Sequence, residues 1–120
     1  MAILVKTHDK QLLMDKIKKY IGEGKNPSWR MDEDGDFYLS NDKIVHFWIR
    51  PRLTDSEGSY NLVFGVLGNA KELTTTYVYA IAHSRFTELL LTGFDVEIES
   101  IKLSSFAMRY DELTYTLSKK

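Results

Sequence analysis

Between Trp29 and Leu67, apolar and polar residues alternate, and turn-forming residues interrupt the alternation three times. No other feature limits the fold as much, because a period of two belongs to strands, whose successive side chains leave opposite faces. Asp34-Gly35 is the sharpest break, a dipeptide suited to a tight turn that needs positive φ. It joins Trp29–Glu33 to Asp36–Ser40. Asn41-Asp42 marks a second tight turn into a strand from Lys43 to about Arg52, and Asp55–Ser59 a looser one into Tyr60–Leu67. The pattern predicts an antiparallel meander of about four strands.

If both sharp turns hold two residues, position 38 faces 31 on one side and 45 on the other. One face then carries Trp29, Met31, Tyr38, Val45, Phe47 and Ile49, and reads as the core face. The other carries Arg30, Asp32, Phe37, Leu39, Ile44, His46, Trp48, Arg50 and Arg52, a mixture of apolar and cationic groups.

Helical periodicity brackets the meander. From about Asp9 to Ile21, the residues Leu13, Met14, Ile17, Tyr20 and Ile21 fall in one sector, with lysines mostly opposite. Asp9 or Thr7 can cap this helix, and Gly22 stands where a C′ glycine belongs. A second helix is expected from about Ala70 to Leu91, with Asn69 and Glu72 as a capping pair and Gly93 at its end. Val78, Tyr79, Ala82, Phe86, Leu89 and Leu90 form its best stripe. Leu73, Tyr77, Ala80, Ile81 and Leu91 lie opposite, which predicts cover on more than one side, from the first helix or a second copy.

The apolar run before Lys6 predicts a first strand or a packed arm. Asp95–Glu99 alternates as a half-exposed strand, and residues 104–118 favour two further short strands over a C-terminal helix. The expected class is α+β: an antiparallel meander flanked by two helices, with one or more further strands at the C-terminus. Nothing in the composition separates domains, so residues 1–120 are expected to form one.

Hydrophobic residues at 43% and charged residues at 28% match an ordinary globular protein rather than a disordered one. Sixteen basic against seventeen acidic residues leave a net charge of −1, too small for a global field that steers the chain to nucleic acid or an anionic membrane. With no cysteine, disulfides, thiolate metal sites and thiol catalysis are excluded. No apolar run approaches the roughly 18 residues of a membrane span, and the opening run is short for a signal peptide. A cytoplasmic protein is expected.

Most candidate chemistry has a plainer explanation. Asp32-Glu33-Asp34-Gly35-Asp36 begins like a calcium loop, but Phe37 and Lys43 stand where that loop needs glycine and glutamate. A charged hairpin tip explains it better. His8, His46 and His83 have no metal-ligand spacing. Gly65–Asn69 leads from a strand towards a helix without the phosphate-binding lysine, and Glu97 and Glu99 share one side of a strand without a cause for unequal acidity. No catalytic elbow, Walker loop or dinucleotide fingerprint is present, and no cofactor is expected.

The richest constellation is His46, Trp48, Arg50 and Arg52 on one side of a strand, joined by Arg30. An indole among guanidiniums can stack on a ring and fork onto a carboxylate or phosphate. Packing beneath the chain's own elements, with the arginines paired to acids, competes with that reading. The leading expectation is a non-catalytic binding or regulatory module that uses this face, together with Phe37 and Leu39, and self-associates. Its partner would be a protein or a small anionic or aromatic ligand. The alternative is a small-molecule binder or small enzyme with a pocket between the sheet and the second helix, lined by Tyr79, His83 and Arg85 along with His46 and Trp48. Nucleic-acid binding through Arg30, Trp48, Arg50 and Arg52 ranks third, against the neutral charge and acidic hairpin tip.

Overall fold

The computed structural model describes residues 2–40, 47–57, 60–68 and 76–104. In chain order they form β1 (Ala2–Thr7), α1 (Lys10–Gly22), β2 (Trp29–Met31), β3 (Phe37–Leu39), β4 (Phe47–Glu57), β5 (Tyr60–Gly68), α2 (Thr76–Gly93) and β6 (Ile98–Leu103). The strands make one six-stranded sheet in the order β2-β3-β4-β5-β1-β6, with every pair antiparallel. The class is therefore α+β, and the meander β2 to β5 stands as the alternation predicts. β1 extends it by pairing with β5, and β6 follows by pairing with β1.

Both helices cover the same face of the sheet. Leu13, Ile17 and Ile21 of α1 and Ala82, Phe86, Leu89 and Leu90 of α2 join one core cluster with residues of β1 to β5. Phe86 is its hub, with ring centroids 4.8 Å from Phe64, 5.1 Å from Trp29 and 5.7 Å from Phe37. The opposite face is also closed at its centre, where Ala2, Leu4, Val63 and Leu67 are buried.

The β2–β3 register differs from expectation by one residue, and the β3–β4 register by three, since Phe37 lies across from Ile49 and not from position 46. Trp29 lies across from Leu39, Arg30 from Tyr38 and Met31 from Phe37. The connection is a three-residue loop, Glu33-Asp34-Gly35, closed by the Asp36 carbonyl accepting from Asp32 N–H at 2.9 Å, with Gly35 at φ 83°. A turn ending in a left-handed glycine takes one residue more than a two-residue turn, and one residue exchanges the two faces. Phe37 and Leu39 therefore turn to the core side, Phe37 fully buried, while Tyr38 joins the Arg30 side.

α1 starts as expected: Asp9 is extended at φ −133° and its side chain accepts from Leu12 N–H at 3.1 Å. The helix ends at Gly22 with Glu23 as its C-cap, so the C′ glycine is Gly24 rather than Gly22. The left-handed residue is Gly24 at φ 72°, and Gly24 and Lys25 donate back to the carbonyls of Ile21 and Tyr20. The last described strand is likewise shifted from 95–99 to Ile98–Leu103, because a turn from Phe94 to Ile98 takes up the intervening residues. Phe94 is held in the core with its ring edge-on to Tyr20.

Over residues 80–93, α2 is one-sided. Ala80, Ser84, Arg85, Glu88 and Leu91 are exposed, whereas Ala82, His83, Phe86, Leu89 and Leu90 are buried. Among the described residues of the chain itself, nothing covers Ala80 and Leu91. The expected cap at Asn69 and Glu72 and the strands expected in 104–118, from Ser105 onward, lie outside the described residues. None of the described helices is long and apolar enough to cross a membrane.

Candidate functional site

Pairing along the sheet puts Arg30, Tyr38, Trp48, Arg50 and Arg52 on the face away from the helices. Four of the residues singled out by alternation are thus together; His46 lies outside the described residues. All four are half-buried rather than open. Across from Trp48 and Arg52 on β5 stand Leu67 and Val63, both buried.

The guanidiniums at the meander end already have structural work. Arg50 grips the buried carboxylate of Asp36 bidentately, Nε to Oδ1 and Nη2 to Oδ2, both at 2.8 Å. That fork ties the hairpin turn to β4. The turn is drawn inward by Asp32, whose Oδ1 accepts from the N–H groups of Asp34 and Asp36 at 3.0 Å each. Carboxylate oxygens of Asp32, Asp34 and Asp36 consequently lie within 4.8 Å of one another. This turn and the Arg50 fork explain that convergence without a cation. Arg30 bends along its own strand, with Nη1 donating to the Asn26 carbonyl at 2.7 Å and the Trp29 carbonyl at 2.9 Å.

The expected pocket residues do not form one set. His83 is buried on the core side of α2, while Arg85 is exposed. Two residues along a helix are about 200° apart, so no single cavity receives both. Tyr79 lies on the N-terminal part of α2, and its side chain is outside the described residues.

Arg85 instead borders an open cleft of about 290 Å³ between the β2–β3 hairpin and the C-terminal half of α2. From the hairpin side come Asn26, Ser28, Trp29 and Leu39; from the helix come Arg85, Glu88, Leu89 and Thr92. Local folding sets both walls. Asn26 precedes Pro27, and its Oδ1 accepts from Ser28 N–H at 2.8 Å and Trp29 N–H at 3.0 Å, which turns the chain into β2. Ser40 donates both N–H and hydroxyl to the Ser28 carbonyl. On the helix, the Thr92 hydroxyl donates to the Glu88 carbonyl at 2.8 Å. Arg85 and Glu88 are one turn apart, both exposed, and neither side chain enters an ion pair among the described residues.

The cleft thus brings a guanidinium, a carboxylate and the Asn26 amide together with the apolar side chains of Leu39 and Leu89. Of its lining, sequence patterning offered Arg85 as a residue of a differently composed pocket and Leu39 as part of the opposite sheet face, with Trp29 and Leu89 read only as core. The available signal for Glu88 was its spacing from Arg85 on the side of α2 opposite the core stripe. No family model, curated protein or solved structure matches the chain.

Proposed function

We propose that this protein is a non-catalytic binding module whose ligand is a small zwitterion, an amino acid with an apolar or aromatic side chain, taken in the cleft between the hairpin and α2. One observation carries the reading: Arg85 and Glu88 bring opposite charges to a cleft that Leu39 and Leu89 also line, without spending them on ion pairs with the described residues. A carboxylate suits the Arg85 fork and the Asn26 amide, an ammonium suits Glu88, and an aliphatic or aromatic body suits Leu39 and Leu89. The volume is at the small end of ligand sites, about 300–1,000 Å³. The Trp48 face supports recognition less well, because Arg30 and Arg50 are engaged within the fold and Trp48 is half-buried. Nucleic-acid binding through the same arginines loses support for the same reason.

Thermal melting with single amino acids tests the proposal. A ligand at about 100 times its Kd stabilises the native state by about 2.7 kcal/mol. The expected result is a melting temperature that rises with an apolar or aromatic amino acid, less with its amide or its N-acetyl form, and not at all in Arg85→Ala. Equal responses from Arg85→Ala and the wild type would refute the site.

A further inference from the structure

We infer that the outer edge of β6, unpaired among the described residues, pairs antiparallel with β6 of a second copy, joining two sheets about a twofold axis at Ile101. The sheet's two edges are treated differently. At β2 the outward backbone groups of Trp29 are taken by the chain's own side chains: N–H by Asn26 Oδ1 and the carbonyl by Arg30 Nη1. Such cover is a usual defence of an edge strand. β6 pairs only with β1 among the described residues and carries no comparable cover.

Register decides which groups are free. Ser104 N–H donates to the Ala2 carbonyl, so Lys102 opposite Leu4 and Ser100 opposite Lys6 are the other pairs bonded to β1. The N–H and carbonyl groups of Ile101 and Leu103 then point away from the sheet. Two copies meeting antiparallel must pair through those odd-numbered residues. An axis at Lys102 sets two lysines directly opposite, which is unfavourable. An axis at Ile101 sets the two isoleucines opposite each other on the helix-covered face and Lys102 opposite the Ser100 hydroxyl of the other copy.

Sedimentation of the full chain against Leu103→Pro is the first test. Proline at 103 removes an outward N–H and leaves the β1 ladder intact, so the expected result is a dimer that becomes a monomer with little change in melting temperature. The second test uses the absence of native cysteine. Across the axis, Ile101→Cys places two thiols on residues about 5.5 Å apart, within disulfide reach. With oxidised glutathione, Ile101→Cys should become mostly a covalent dimer, while Lys102→Cys and the helix-surface control Ser84→Cys stay largely uncoupled. A wild type monomeric at millimolar concentration overturns the inference, including the case where the edge is occupied from within the same chain. So does a Leu103→Pro dimer, or coupling of Lys102→Cys as complete as that of Ile101→Cys.

Discussion

At the scale of single residues, burial and charge pairing separate structural arginines from available ones. Arg50 meets a carboxylate that is 1% exposed, whereas its own side chain is 24% exposed. Removing one partner of a fully buried pair costs about 3–5 kcal/mol, and partial exposure of Arg50 brings the expectation for Arg50→Ala down to about 2 kcal/mol. Adding Asp36→Ala should recover part of that loss in urea unfolding, because the stranded carboxylate is gone. Equal and additive losses would show that the fork contributes nothing of its own. Arg85→Ala, by contrast, should leave unfolding within about 0.5 kcal/mol of wild type, as for an exposed substitution without partners. Phe86 is the residue on which β2, β3 and β5 converge, and Phe86→Ala is expected to cost about 3–5 kcal/mol.

Secondary elements show where sequence patterning succeeds and where it stops. α1 was legible because its cap, its stripe and its apolar spacing agree, and Leu13, Ile17 and Ile21 are buried as that spacing requires. The strands of the meander were legible from their alternation. Their faces were not, because the Asp34-Gly35 signal is compatible with loops of two or three residues and one residue reverses every side chain. A two-residue turn therefore puts Phe37 on the wrong side of a strand whose position alternation gives correctly. Gly35 at φ 83° makes this testable: Gly35→Ala should cost about 1 kcal/mol and Gly35→Asn less, since asparagine tolerates the left-handed region better. Equal stability of all three by urea unfolding would contradict the turn assignment.

For the whole molecule, the placement of β1 between β5 and β6 and the existence of the cleft were not legible, for one shared reason. Both depend on segments far apart in sequence, residues 26–39 with 85–92 for the cleft and Ala2–Thr7 with two later strands for the sheet centre. Periodicity reports a residue's own element and says nothing of which distant element it meets. Trp48, Arg50 and Arg52 share a side by alternation within one strand, but Arg30 joins them only because the two turns each shift the register by an odd number of residues, one and three, and the two reversals of side cancel. The internal use of that face was hidden, since Asp36 lies one turn and one strand away from Arg50.

An amide-resolved NMR titration with a free apolar amino acid tests the cleft most directly. Saturable shifts confined to residues 26–29, Leu39 and 85–92, abolished in Arg85→Ala, are the expected result. Saturable shifts centred on Trp48, Arg50 and Arg52 with residues 85–92 unmoved would contradict it and return recognition to the far face of the sheet.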